Sequence, residues 1–201
     1  MVRAILDGRK TQTRRVLATY QDAVKFCPEW DVNGKQIFIV LGEKDHTGMN
    51  PVITAIPCPF GQQGDRIWVR ETFRVHSRAT DVATLVYRAS VRNSWTEQTH
   101  RVPVAVCNKP ATPEKWTPSI HMPRWASRIT LEITDVRVER LNSISDSDAS
   151  KEGCCIADME SGDCLSDVFT RLWTSIYGDD SWQANPWVWV IEFKRVEGAA
   201  L

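Results

Sequence analysis

Between Ser127 and Leu141 apolar side chains fall on every second position, at Ile129, Leu131 and Ile133, then slip by one residue near Asp135 and resume at Val136 and Val138. Alternation of this length describes one long strand with a buried face, and the slip describes a bulge that bends it. A chain carrying such a strand must build a sheet around it. The other strand-like runs are short and separated by turn residues: 37–41, 52–56, Arg66 to Glu71 after Gly64-Asp65, weaker stretches at Thr84 to Arg88 and Val102 to Val106, and a final strand from Trp187 to Val196. From about 20 to 65, Pro28, Asn33-Gly34, Asn50-Pro51, Pro57 and Pro59 punctuate the text as hairpins and loops, and the proline-rich stretch from Asn108 to Pro123 reads as a surface loop.

Helical signals sit between these strands rather than alternating with them. Val2, Ile5 and Leu6 share one side of a short turn closed by Gly8, and Ser145 caps a short helix with Asp146 and Asp148 in its first turn and Gly153 at its end. From Cys164 to Tyr177, Leu165, Val168, Phe169, Leu172, Trp173 and Ile176 recur at spacings of three and four, which predicts one buried stripe closed by Gly178. A chain of 201 residues that is 42% hydrophobic can bury a real core. The expectation is an α+β protein, a small partly closed β-barrel with inserted helices in a single domain over 1–201.

Charge narrows the function. Twenty-five basic residues balance 25 acidic ones, which argues against sequence-blind coating of duplex DNA. Within the first fifteen residues, however, Arg3, Arg9, Lys10, Arg14 and Arg15 face only Asp7. Local excess of this kind marks a site for a polar or anionic ligand. If Lys10 to Val16 is extended, Thr11, Thr13 and Arg15 share one face and Lys10, Gln12 and Arg14 the other, which separates Lys10 from Thr13 unless the chain bends. The six cysteines include no C-x-x-C pair, and His76 and His121 have no partner at metal-ligand spacing, so reduced thiols, no metal and no cofactor are expected. Ser127 lacks a G-x-S-x-G setting and is not expected to be a nucleophile. The N-terminus shows no apolar leader, and the longest apolar run, Trp187 to Ile191, is far below the roughly 18 to 20 residues that span a bilayer, so a cytoplasmic protein without membrane contact is expected.

ILDGRKTQTRR near the start, GDRIWVRE in the middle, the helix ISDSDASKEG and the closing WVWVIEFKRV occur in an order that resembles the ASCH superfamily across nearly the whole chain. CPFGQQGDRIWVRETF, PSIHMPRWASRITLEITDVRVERL and NPWVWVIEFKRV look like its tailed-phage and prophage version. The resemblance implies a PUA-like barrel and association with RNA. One compact bacterial branch hydrolyses N4-acetylcytidine with a lysine, a threonine and a glutamate that match Lys10, Thr13 and Glu152 here. That branch is about half as long, so the segments at about 20–60 and 75–125 stand as insertions. Amide hydrolysis requires an activated nucleophile, a proton carrier and an oxyanion donor. In this assignment Lys10 takes the proton of Thr13, while Glu152 orients water or protonates the leaving amine. Arg9, Arg14, Arg15, Arg124 and Arg128, with Trp125 of HMPRWASR and Trp68 as stacking surfaces, would grip a nucleoside, a nucleotide or single-stranded RNA. Two alternatives use the same basic groove: a non-catalytic RNA- or DNA-binding phage module, and a single-strand ribonuclease.

Overall fold

The computed structural model describes residues 1–196. In chain order the elements are α1 (Val2–Leu6), β1 (Gln12–Val16), β2 (Lys25–Trp30), β3 (Gln36–Leu41), β4 (Val52–Ile56), β5 (Arg66–Trp68), β6 (Phe73–Arg78), β7 (Val82–Tyr87), α2 (Trp95–Gln98), β8 (Thr99–Pro103), β9 (Thr130–Arg140), α3 (Asp146–Lys151), α4 (Leu165–Tyr177), α5 (Asp179–Gln183) and β10 (Trp187–Val196). The fold is mixed α+β, with a curled antiparallel sheet forming a half-barrel in the order β1-β10-β9-β5. The alternating segment is β9, and its buried positions step from Ile129, Leu131 and Ile133 to Val136, as the phase slip requires.

The chain divides into two compact units. The first takes residues 1–7, 66–131 and, among the described residues, 195–196; the second takes 8–65 and 132–194. In the second unit β10 pairs antiparallel with β1, placing Gln12 opposite Glu192, Thr13 opposite Ile191 and Arg15 opposite Trp189. The segment at 20–60 forms its own three-stranded antiparallel sheet, β2-β3-β4. Helix α4 lays Val168, Phe169 and Trp173 into a cluster with Leu141, Ile144, Ala149, Val188 and Val190. Leu172 and Ile176 remain 45% and 56% exposed, which corrects the wider stripe expected from their spacing. Periodicity identifies residues that share a helix face, but not how far the rest of the chain covers that face.

In the first unit β6-β7-β8 form another antiparallel sheet, with Phe73, Val75, Leu85, Tyr87 and Val102 in its core. Strand β6 escapes a sequence reading because it carries only two apolar positions, Phe73 and Val75, before its register shifts between Val75 and Ser77. The proline-rich stretch after β8 is a strap pinned to β6: Thr117 N–H donates to Phe73 O at 2.7 Å, and Thr112 N–H to Val75 O at 2.8 Å. Among the described residues no helix is long and apolar enough to cross a membrane.

Candidate functional site

Two chain reversals bring residues 10 and 152 together within the second unit. Gly8, at φ +73°, turns the chain out of α1, and the next residues are held by Thr11 N–H donating to Lys151 O and Phe193 N–H donating to Thr11 O, both at 2.8 Å. From the other side, the Ser145 hydroxyl accepts from Asp148 N–H at 3.1 Å and starts α3. The helix ends with Glu152 as its C-cap, and Gly153 at φ +95° redirects the chain.

Lys10 Nζ lies 2.5 Å from Glu152 Oε2 and 2.8 Å from the Glu152 carbonyl oxygen, and both side chains are only 5% exposed. Arg14, equally buried, donates through Nη1 to Glu152 Oε1 at 3.3 Å and reaches Glu139 and Asp148 at 3.4 Å each through Nη2. Its guanidinium carbon is 5.7 Å from the centroid of the Phe169 ring. Between them Gln12 is buried; with its amide assigned to the orientation that the surrounding donors and acceptors satisfy, its nitrogen donates to Asp148 Oδ1 (3.0 Å) and Glu192 Oε1 (3.2 Å) and its oxygen accepts from Arg14 Nη1 (2.5 Å). Arg137 completes the network with Glu139 at 2.6 Å, Glu192 at 2.7 Å and Asp148 at 3.0 Å, and Lys151 reaches Glu192 at 3.1 Å.

Four cations thus interleave with four carboxylates, and the pKa directions follow from that. Partial burial alone would raise the Asp148 carboxyl, but the Ser145 hydroxyl and the charges of Arg14, Arg137 and Lys151 hold it below its ordinary value. Glu192 is likewise lowered against partial burial, by hydrogen bonds from Arg137 and Lys151. Burial would lower Arg137, yet its bonds to Glu139 and Glu192 raise it. Cys154 is pushed up to about 11, first by burial and then by the charge of Glu152, with Lys10 opposing. Beside this network a cleft of about 440 Å³ is lined by Arg9, Ser150, Cys154, Cys155, Ile156 and Leu165, the chain neighbours of Lys10 and Glu152 and the first turn of α4.

Lys10, Arg14 and Glu152 are therefore brought together, and Arg9 sits nearby, exposed, donating to Gly153 O at 3.4 Å. Thr13 is not with them. It lies half-buried on the other face of β1, and Arg15 is exposed. Arg124, Trp125 and Arg128 belong to the first unit. Arg124 lies 5.9 Å from the centroid of the Trp68 ring, and Trp125 packs on the core cluster edge-on to Phe73. Arg128 is held by Glu71 through two bonds of 2.9 and 3.1 Å, by Ser90 Oγ at 2.8 Å and by Glu97 O at 3.1 Å, with its guanidinium 4.0 Å from the centroid of the Tyr87 ring. Burial and the charge of Glu71 raise the Tyr87 hydroxyl.

Sequence reading missed Gln12, Arg137, Glu139, Asp148, Lys151 and Glu192. Spacing held part of the signal: Gln12 alternates in step with Lys10 and Arg14, and Asp148 lies one helical turn before Glu152. Among the described residues no three His, Cys, Asp or Glu side chains group as a metal site. Comparison with family models, curated proteins and solved structures finds no match to this chain.

Proposed function

We propose that this chain is an ASCH-type, PUA-like protein of the tailed-phage kind that binds a modified nucleoside, nucleotide or short RNA beside Lys10 and Glu152 and hydrolyses an amide of the N4-acylcytidine type in the cytoplasm. One observation carries the reading: an ammonium and a carboxylate from positions 142 residues apart meet at 2.5 Å in a setting from which water is largely excluded. Their electrostatic leverage on a reacting group is far larger there than at an exposed surface. Because Thr13 faces away, water is the nucleophile. Glu152 takes a proton from water as its oxygen bonds to the acyl carbon, and the Lys10 ammonium donates to the oxyanion that forms. Collapse breaks the C–N bond, and the proton held on Glu152 passes to the departing N4 of cytosine, leaving cytidine and a carboxylic acid. Arg14, on the second oxygen of Glu152, keeps the carboxylate in register with Lys10.

Incubating the protein with N4-acetylcytidine and separating the products by chromatography tests this. Turnover should fall about a hundredfold or more in Lys10→Gln and Glu152→Gln, each first shown to fold by near-ultraviolet circular dichroism, the scale expected for losing a proton-transfer group. Thr13→Val should retain it. No turnover of any acylated cytidine by the unaltered protein, together with measurable RNA affinity, would overturn hydrolysis in favour of a binding module.

A further inference from the structure

A second cleft, in the first unit, has no part in the hydrolytic reading. It measures about 340 Å³ and is lined by Val75 of β6 and by strap residues, among them Lys109, Thr112, Lys115, Trp116 and His121. Its charge is one-sided. From Lys109 to His121 the strap carries one acid, Glu114, against two lysines and a histidine, and β6 adds Arg74 and Arg78 with no acid at all. The Arg74 guanidinium carbon sits 4.7 Å from the centroid of the Trp116 ring, which holds the half-buried indole in a defined plane. Arg74 Nε is buried without a hydrogen-bond acceptor. The strap itself is anchored by three backbone bonds to Val75 and Phe73, and Arg78 donates to the Lys109 carbonyl at 3.3 Å, so the lysines and the indole stand on a fixed backbone.

We propose that this cleft binds one phosphorylated nucleoside, its base against Trp116 and its phosphate between Lys109 and Lys115. An indole held in one plane among cations matches a ligand that is a flat π-system and an anion at once. The hydroxyls of Thr112 and Thr117 add donors and acceptors at the wall. A volume of this size falls at the lower end of the range for small-molecule sites, roughly 300 to 1,000 Å³, which suits a single nucleotide rather than a duplex. Either a free mononucleotide or one nucleotide of a single strand supplies this chemistry. The proposal does not depend on hydrolysis at Lys10 and Glu152.

Fluorescence anisotropy of a fluorescein-labelled uridylate decamer, titrated with the full chain and then competed with CMP or pyrophosphate, tests it. The decamer should bind. Lys109→Ala/Lys115→Ala should weaken binding at least tenfold and flatten the slope of log affinity against log salt by about 0.7, since the two lysines hold one phosphate and each phosphate neutralised on a single strand contributes about 0.7. Trp116→Leu should weaken it at least tenfold, and the double lysine variant keeps the question decidable if the tryptophan variant does not fold. Displacement by CMP identifies the free nucleotide as ligand, whereas a decamer that CMP does not displace identifies the strand. The proposal is overturned if neither CMP nor decamer binds, if the lysine variant binds as the unaltered chain does, if a folded Trp116→Leu variant keeps full affinity, or if pyrophosphate displaces the decamer at lower concentration than CMP. The lysine variant should turn over N4-acetylcytidine unchanged, so failure here and failure of the hydrolytic reading are separable.

Discussion

Lys10 and Glu152 illustrate how a buried ion pair differs from a surface one. Each charge is tolerated only because the other is present, so losing one partner costs more than losing both. Glu152→Leu should lower the stability measured by urea unfolding by about 3–5 kcal/mol, and Lys10→Met/Glu152→Leu should recover most of that loss. The carboxylates around the pair set the acid limit. Asp148 and Glu192 are lowered in the folded state, so their contribution is present above the ordinary carboxylate range and is lost as pH falls through it. Stability followed by thermal melting should therefore decline below about pH 4, and Asp148→Asn should flatten that decline. Cys154 carries the opposite sign: raised to about 11, its thiol stays neutral at pH 8, and its alkylation by iodoacetamide in the folded chain should be slower than that of an ordinary exposed thiol.

At the scale of elements, the site depends on where α3 begins and ends. Ser145 satisfies an otherwise unpaired N–H of the first turn, and the same short helix delivers Asp148 and Glu152 to the network. Ser145→Ala should cost about 1 kcal/mol in urea unfolding. A stronger effect is expected at Gly61, whose φ is +115° and where an added Cβ would lie 3.0 Å from both Asp65 Oδ2 and Ile133 Cδ1. Gly61→Ala should destabilise by more than about 1 kcal/mol, because strain and crowding act together. The boundaries of α3, α4, β9 and β10 were legible in the sequence because each carries a local signal: a capping serine, a closing glycine, or an unbroken period. The two three-stranded sheets were legible only in part. β2 holds Pro28 and β6 has too few apolar positions to establish a period, so their pairing partners decide them.

For the whole molecule the decisive feature is that each unit is assembled from segments far apart in the chain. β10, the last described strand, lies between β1 and β9 in the sheet order, so a chain ending at Asn185 should lose the second unit's core and its near-ultraviolet circular dichroism rather than merely fray. The sequence by itself determined the local grammar: a long strand with a phase slip in its buried face, a capped helix ending at Glu152, and a basic opening segment whose alternation sets Lys10 and Arg14 apart from Thr13. Those features depend on interactions within a few residues. Only the tertiary structure decided that Lys10 and Arg14 are buried beside carboxylates from distant segments, and that Arg128 is bound to Glu71. It also decided that the strap from Lys109 to His121 lines a basic cleft with an indole in its wall. A charge in the sequence is compatible with solvent, ligand or internal partner alike, and the choice is made by which distant acid the fold carries within about 3 Å of it.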